Sequence, residues 1–329
     1  MNDLTLPSTA SPFSEKFSDP NVTAKGKARA QVPFDQLKTL WINTGTLCNI
    51  ECEHCYILSS PKNDTLVYIR LEEFTPFLDE IEALRLGTRE IAFTGGEPFM
   101  NPDMIAMAKL ALSRGFQVLI LTNAMAPMMR KRVQEGLLSL NASYPKKLTL
   151  RVSLDHYTAR SHDLERGEGS FDKSLTGLTW LHANNISFTI AGRSLWGEDE
   201  ATARAGFQDL FQRQRWSLNV DDPEQLVIFP EMDEQADVPE ITTACWDILG
   251  LAPSSLMCAS SRMVVKRKGE DRPKVLPCTL LPYNTEFEMG ATLRESLEAD
   301  GGMFDKGAVK LCHVHCAKFC VLGGGSCSG

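Results

Sequence analysis

The sequence lacks three features that would each point to a particular class of protein. Its longest runs of apolar residues are too short for a membrane-spanning helix. Residues 1–33 have no apolar centre of the kind that a secretory signal needs. The net charge is −8 at pH 7, and no basic stripe with interleaved aromatic residues is present. These absences predict a cytoplasmic protein whose partners include neither a membrane nor a nucleic acid.

Cysteine, in contrast, is plentiful, with ten among the 329 residues. A disulfide framework is typical of small secreted domains, so this longer chain without a secretory signal calls for another explanation. Cys245 lies among apolar residues, which predicts a buried core thiol. The crowding of the others indicates metal binding. The C-terminal candidates for metal ligands are Cys258, Cys278, Cys312, Cys316, Cys320 and Cys327.

A cysteine triplet near the N-terminus has the spacing C-x3-C-x2-C and comprises Cys48, Cys52 and Cys55. An iron–sulfur cubane normally takes four cysteine ligands, so three leave one iron open for another ligand. An open metal position distinguishes a catalytic site from a structural one. Alternatively, the three thiolates and His54 form a zinc knuckle. The triplet directly follows a predicted strand, 39–44, at whose carboxyl end barrel enzymes place their chemistry.

A second motif, Gly95-Gly96-Glu97-Pro98, follows the predicted strand 89–94. The glycines would let the backbone approach a ligand closely, and Glu97 would supply a carboxylate acceptor for an ammonium group. Pro98 would stiffen the turn. The alternative is an ordinary strand-to-helix turn, because Gly and Pro are common in loops.

Strands and helices alternate along the first two-thirds of the chain, which predicts a parallel sheet with helices outside it. Thr75-Pro76 suits the first turn of the first helix, and Gly87 suits its end. In the strand 147–154, apolar and polar residues alternate, so Arg151, Ser153 and Asp155 would face the lumen of a barrel; a half-exposed edge strand is the alternative. The predicted strands are 39–44, 89–94, 117–122, 147–154, 186–191 and 225–229, and the predicted helices are 71–87, 103–114, 126–139, 172–184 and 200–213.

Together, the cysteine triplet and the glycine motif resemble the signature of the radical S-adenosylmethionine (radical SAM) enzymes. An aromatic residue usually precedes the third cysteine in that family; His54 stands there, and Tyr56 follows the cysteine. The run from Ser153 to Leu178 resembles the SLDG…HD…RG-x-GSF…GL passage of peptide-modifying subfamilies, with His156 in place of the usual glycine. In this run, His162-Asp163 and Arg166-Gly167 are expected to brace the loop.

The resemblance implies a partial (β/α)6 TIM-like barrel over residues 34–240 and a small C-terminal cysteine-rich domain over 241–329. Residues 1–33, which have no sustained period, are predicted to be a flexible extension. The implied cofactors are S-adenosylmethionine (SAM) and a [4Fe–4S] cluster on Cys48, Cys52 and Cys55, with the amino and carboxylate groups of SAM on the open iron. An electron from the cluster would cleave SAM to a 5′-deoxyadenosyl radical, which abstracts a hydrogen atom from the substrate. The implied SAM-binding residues are Gly95, Gly96, Glu97, Pro98, Asn123, Ser153 and Arg193.

The C-terminal cysteines resemble the auxiliary iron–sulfur domains called SPASM and twitch, in which an early cysteine and a strand pair ending in Pro-Cys precede a dense cysteine run. The terminal spacing, C-x3-C-x3-C-x6-C, departs from the usual C-x2-C-x5-C-x3-C. Arg272-Pro273-Lys274 also replaces the family's glycine before Cys278. A structural zinc site is the alternative; its candidate ligands are Cys312, His313, His315, Cys316 and Cys320.

The sequence does not decide whether the substrate is a peptide or a small molecule. The resemblance implies a maturase-like oxidoreductase that draws its electron from a donor such as flavodoxin or ferredoxin. Two alternatives stand beside it: a radical SAM transferase that moves a SAM-derived carbon group, and a non-catalytic iron–sulfur or zinc protein.

Overall fold

The computed structural model describes residues 15–231, 233 and 235–323. Within these residues the strands are β1 (Gln31–Val32), β2 (Thr39–Asn43), β3 (Glu90–Thr94), β4 (Gln117–Thr122), β5 (Leu148–Ser153), β6 (Ser187–Arg193), β7 (Leu226–Phe229), β8 (Ser261–Val265), β9 (Lys274–Leu276), β10 (Phe304–Asp305) and β11 (Ala308–Lys310). The α-helices are α1 (Leu71–Leu84), α2 (Met104–Ser113), α3 (Lys131–Ser143), α4 (Ala159–Arg166), α5 (Ser170–Ala183), α6 (Glu200–Gln214), α7 (Cys245–Leu249) and α8 (Leu293–Glu298). A π-helix, Cys316–Leu322, closes the described chain.

The main sheet has the strand order β7-β6-β5-β4-β3-β2-β8-β9. Its strands run parallel from β7 to β8, and β9 is antiparallel to β8. The six predicted strands correspond to β2–β7, and helices separate them along the chain. A small second sheet, β1-β11-β10, joins the N-terminal segment to the C-terminal region. The sequence pattern therefore predicts the alternation of the barrel correctly.

Two apolar cores lie on opposite faces of the main sheet. On β5, Leu150 and Val152 belong to the outer core that contacts the helices. The inner core joins Trp41 of β2 and Leu119 of β4 to C-terminal residues, including Phe319. The alternation in β5 thus separates the two faces as the sequence predicts. The C-terminal region fills the interior face of the barrel.

Two predicted helices differ from the structure in detail. Helix α1 begins at Leu71, as its predicted range does, but Pro76 lies inside the helix rather than in its first turn, and the left-handed cap is Arg85 rather than Gly87. The first turn forms because the Glu73 carboxylate accepts from the Arg70 N–H. Helix α3 begins at Lys131, since the apolar residues 126–129 form a separate turn before the extended residue Arg130.

Residues 15–33 pack against the C-terminal region, which corrects the prediction that residues 1–33 are a flexible extension. Arg29 donates to the Glu240 carboxylate at 2.6 Å, and both side chains are buried. Val32 is fully buried and pairs with Val309 of β11. These contacts order the segment because they remove both charge and apolar surface from water. Residues 1–14 lie outside the described residues.

The predicted C-terminal strand pair is present as β8 and β9, which lead into Pro277-Cys278. Strand β8 also pairs in parallel with β2, so the C-terminal region extends the main sheet. In the part of the chain that the structure describes, no helix is both long and apolar enough to cross a membrane.

Candidate active site

A cavity opens where the parallel strands of the main sheet end. The cysteine loop follows β2, and the glycine motif follows β3. Asn123 follows β4, Ser153 ends β5, and Arg193 ends β6. The structure thus brings together eight of the predicted site residues in the lining of one cavity: Cys48, Cys52, Cys55, Gly95, Gly96, Asn123, Ser153 and Arg193. The carboxyl ends of parallel strands meet at one edge of a sheet, which explains this convergence.

The cysteine loop is held by hydrogen bonds on both sides of the triplet. The Cys48 N–H donates to the Ser60 carbonyl at 3.0 Å, and the Ser59 N–H donates to Cys55 Sγ at 3.3 Å. Asn123 Nδ2 lies 3.9 Å from Cys48 Sγ. Burial raises the pKa of Cys48 to about 12 and that of Cys52 to about 11. Metal binding at this loop therefore releases protons from the thiols.

The positions of the candidate ligands indicate whether the cysteine loop suits a single metal ion or an iron–sulfur cluster. Among the described residues, no three Cys, His, Asp or Glu side chains are placed to hold a single metal ion. In a cubane, each cysteine binds a different iron, so the thiolates need not converge on one point. His54, the fourth ligand of the alternative zinc knuckle, has its Nδ1 2.8 Å from Glu165 Oε2.

The glycines of the second motif allow close contact with the cysteine loop. A Cβ atom on Gly96 would lie 2.3 Å from the Leu47 carbonyl oxygen, and one on Gly95 would lie 2.6 Å from the Gly45 carbonyl oxygen. Gly95 also has a φ of +138°, which favours glycine. The Gly96 and Glu97 N–H groups donate to the carbonyls of Gly45 and Leu47 at 2.8 and 3.1 Å. The motif therefore fixes the segment that leads into Cys48.

Glu97 lies beside the cavity, outside the lining. Its carboxylate accepts from Thr122 Oγ1 at 2.9 Å, the Asn123 N–H at 2.9 Å and the Phe99 N–H at 3.2 Å. Burial raises its pKa to about 7, although the N–H donors oppose that shift. Pro98 begins the short 3₁₀ turn that Glu97 caps. The carboxylate thus joins the ends of β3 and β4, and its contact with the SAM ammonium stays a prediction.

A residue that sequence reasoning missed, Glu165 of α4, braces the cysteine loop from the other side. Its carboxylate accepts from the His54 N–H at 2.9 Å and from Arg193 Nη1 at 2.6 Å. Its carbonyl accepts from the Glu53 N–H at 2.9 Å. Arg193 also donates to the His54 carbonyl at 3.1 Å. No motif identified Glu165, because its contacts with the cysteine loop join residues more than a hundred positions apart in sequence.

An ion pair lies in the wall of the cavity between Asp155 and Arg166. Arg166 Nε and Nη2 donate to the two oxygens of Asp155 at 2.6 and 2.9 Å. Burial alone would raise the pKa of Asp155, but Arg166 holds it below its ordinary value.

Asp163 accepts from the Phe171 N–H and braces the start of α5, as expected. The third predicted lumen residue, Arg151, is buried and donates to Thr189 Oγ1, outside the cavity lining.

Another part of the cavity lining is apolar and comes partly from the C-terminal region. Phe229 ends β7 and Pro230 follows it, while Leu280 and Phe319 come from the C-terminal region. The rings of Phe229 and Phe319 stack with centroids 6.0 Å apart and planes at 30°. Phe319 lies in the π-helix Cys316–Leu322, so the segment that carries Cys316 and Cys320 also closes the cavity.

The C-terminal cysteines lie in the inner core. Cys258, Cys278, Cys312 and Cys316 are buried there, and Cys320 packs against it. Burial, with the neighbouring charges of Cys278, Cys258 and Cys312, raises the pKa of Cys316. Cys312 Sγ also donates to the Phe17 carbonyl at 3.1 Å. Cys327, the last predicted ligand, lies outside the described residues.

Comparison with known proteins agrees with this architecture. Residues 42–195 match the Radical SAM superfamily. Over 80% of this chain, the fold is similar to that of Streptococcus suis SuiB bound to S-adenosylmethionine, with a TM-score of 0.59, 12% identity and 66% of that chain covered. It is also similar to native anSMEcpe with bound AdoMet, with a TM-score of 0.57, 15% identity and 80% of each chain covered. The fold is the predicted partial (β/α)6 TIM-like barrel with a cysteine-rich C-terminal region.

Curated proteins also match parts of this chain. The antilisterial bacteriocin subtilosin biosynthesis protein AlbA of Bacillus subtilis is 27% identical over 274 residues, which cover 77% of this chain and 56% of AlbA. The AdoMet-dependent heme synthase of Methanosarcina barkeri is 29% identical over 147 residues, or 44% of this chain and 38% of the synthase. Mycofactocin maturase MftC of Mycobacterium tuberculosis is 30% identical over 158 residues, or 46% of this chain and 38% of MftC.

Over residues 42–195 the chain is similar to members of the radical SAM superfamily. It spans about half, or less, of the length of these curated relatives. The cofactors of the family are a [4Fe–4S] cluster and SAM, and the site fits both. Three cysteines share one cavity with the glycine motif, and polar side chains line the wall beside them.

Proposed function

We propose that this chain is a radical SAM enzyme of the maturase type that acts on a peptide. One observation carries the proposal: the cysteine triplet, the glycine motif and Asn123 line a single cavity that the C-terminal region closes with apolar side chains. Such a cavity combines an open metal position with a wall suited to an organic substrate.

In this proposal Cys48, Cys52 and Cys55 hold the cluster. When bound, the cluster supplies the electron that splits SAM into methionine and a 5′-deoxyadenosyl radical, which takes a hydrogen atom from the substrate. Gly95 and Gly96 hold the cysteine loop in register with β3. Asn123 fixes the loop through its 2.9 Å hydrogen bond to Asn49 Oδ1.

The two walls of the cavity have different tasks. Ser153 and Arg193 provide polar groups for the ribose and carboxylate of SAM, with Asp155 and Arg166 beside them. Phe229, Leu280 and Phe319 exclude water from the opposite side. Exclusion of water protects a reactive species from side reactions.

A peptide is the substrate class that the comparisons favour. SuiB has a structure bound to its precursor peptide SuiA, and this chain shares its fold with a TM-score of 0.56. The relatives AlbA and MftC are named for bacteriocin biosynthesis and mycofactocin maturation. The electron would come from a flavodoxin or ferredoxin in the cytoplasm.

We further propose an auxiliary iron–sulfur cluster in the C-terminal region, whose ligands come from Cys258, Cys278, Cys312, Cys316, Cys320 and Cys327. The first four cysteines are buried in one apolar core, and Cys320 packs against it. Soft thiolates in a shared core suit an iron–sulfur cluster. The domain division after residue 240 belongs to the same proposal.

Product analysis tests the function. Anaerobically reconstituted, reduced protein is expected to convert SAM to 5′-deoxyadenosine, and the Cys48→Ala/Cys52→Ala/Cys55→Ala variant is expected to form none. The same amount of 5′-deoxyadenosine from the variant would refute the site assignment. Methylthioadenosine or S-adenosylhomocysteine as the product would instead support the transferase alternative, and no cleavage at all would support the non-catalytic one.

A further inference from the structure

Arg262 of β8 is a fully buried arginine in the C-terminal region. Its Nη1 donates to the carbonyls of Cys258 and Ser261, both at 2.8 Å, and its Nη2 donates to the Gly307 carbonyl at 3.2 Å. The guanidinium carbon lies 4.5 Å from the centre of the Phe34 ring. These contacts fix the position of the guanidinium, but every hydrogen-bond acceptor among them is a neutral carbonyl.

Four other arginines with largely buried side chains each pair with a carboxylate. In the described part of the chain, no ion pair joins Arg262 to an acidic side chain, and its Nε has no hydrogen-bond partner. The contrasting pairs, in which the arginine side chain is at most 13% exposed, are Arg29–Glu240, Arg166–Asp155, Arg193–Glu165 and Arg267–Glu288. A buried charge without an opposite charge is strongly unfavourable. Arg262 is therefore expected to face an anionic group.

The ionisable neighbours of Arg262 identify that group. An arginine side chain stays charged at any ordinary pH. The Arg262 guanidinium donates to the Cys258 carbonyl, and Cys258 and Cys278 are buried together in the inner core. A protonated thiol carries no charge. Coordination to a metal converts such a thiol to a thiolate.

We propose that Arg262 is the counter-charge of an anionic, thiolate-ligated iron–sulfur cluster held in part by Cys258 and Cys278. The inference rests on the auxiliary cluster proposed above. Arg262 is a positioning residue in this proposal, because it binds no metal itself. Its guanidinium contacts the backbone around Cys258 and stabilises the negative charge of the cluster electrostatically, without touching the cluster. A nearby cation favours the more negative, reduced state, so Arg262 raises the reduction potential of the cluster.

The test uses the full chain carrying Cys48→Ala/Cys52→Ala/Cys55→Ala, so that only the auxiliary cluster contributes iron. In this background, Arg262→Met removes the charge, Arg262→Gln removes it while keeping donors, and Arg262→Lys keeps it. Arg267→Met is the matched control, because it removes a nearby buried arginine that has its own partner, Glu288. The readouts are iron and sulfide per chain and the midpoint potential from a redox titration followed by electron paramagnetic resonance.

The neutral variants are expected to hold about twofold less iron, or to keep it at a more negative midpoint potential. Arg262→Lys and Arg267→Met are expected to match the parent in both. Parent-like iron content and potential in Arg262→Met would overturn the inference; if that variant does not fold, the same result in Arg262→Gln overturns it. A parent that binds zinc or no metal overturns both this inference and the auxiliary cluster, while SAM cleavage by the wild-type chain remains a separate test of the barrel site.

Discussion

At the scale of single residues, the glycines of the site matter as much as the residues that carry side chains. Gly96 lies against the backbone of Thr46 and Leu47, with no room for a Cβ atom. The segment it contacts leads directly into Cys48. A change of one methyl group at this position is therefore expected to act on the cysteine loop.

The substitution Gly96→Ala is expected to lower SAM cleavage at least about tenfold and to destabilise the fold by roughly 1–3 kcal/mol. The added Cβ would lie 2.3 Å from a backbone oxygen, which cannot move without the loop. Gly136→Ala is the control, since the three atoms nearest to its added Cβ all belong to the flexible side chain of Ile105. Iron content and 5′-deoxyadenosine formation measure the effect. Equal values for the two variants would contradict this account of the glycine.

Glu97 illustrates what a sequence motif can and cannot predict. The pattern Gly-Gly-Glu-Pro after a strand identifies the correct loop, because the residue types and their position are local. It does not give the direction of the carboxylate, which depends on Thr122 and Asn123 of the neighbouring strand end. Such contacts between strands are not recorded in the local sequence.

At the scale of secondary structure, helix α4 has an unusual composition that explains why sequence analysis missed it. Its buried residues are His162 and Glu165, both polar, so it has no apolar stripe to reveal its period. The strands β2–β7, in contrast, are rich in apolar residues and were predicted within one or two residues of their ends. Helix α4 is stabilised by its contacts with the cysteine loop, which only the folded chain brings together.

The variant Glu165→Ala is expected to loosen the cysteine loop and to speed the loss of iron to a chelator several-fold. It leaves Arg193 and the His54 N–H without their acceptor, at a cost of about 1–3 kcal/mol. Glu168→Ala, on the exposed turn just after α4, is the control. The rate of iron release is measured by the absorbance of the iron–chelator complex. Identical rates in both variants would remove Glu165 from the support of the loop.

At the scale of the whole molecule, the C-terminal region is part of the barrel. Strand β8 pairs with β2, and the inner core joins Trp41, Ala92 and Leu119 to residues beyond 240. The order of residues predicts the strand pair β8–β9 but not its pairing with β2, because parallel pairing joins residues more than two hundred positions apart. The N-terminal segment, joined through Arg29 and Glu240, escaped prediction for the same reason.

A chain truncated after residue 240 is therefore expected to aggregate or to unfold without a cooperative transition. Truncation exposes an edge of β2 and the inner core, where each large apolar side chain contributes about 1.5–3 kcal/mol. Thermal unfolding by circular dichroism, with light scattering for aggregation, measures the outcome. A soluble fragment that unfolds cooperatively near the temperature of the full chain would instead mean that the barrel is independent of residues 241–329.

The central claim is that the cysteine triplet holds a cluster with one iron open to SAM. Electron paramagnetic resonance of the reduced, reconstituted protein tests it most directly, in the presence and absence of SAM. The prediction is a cluster signal that changes when SAM is added and that is missing, together with its response to SAM, from the Cys48→Ala/Cys52→Ala/Cys55→Ala variant. A wild-type spectrum in which no cluster signal changes on addition of SAM, or a SAM-dependent change that persists in the variant, would contradict the account.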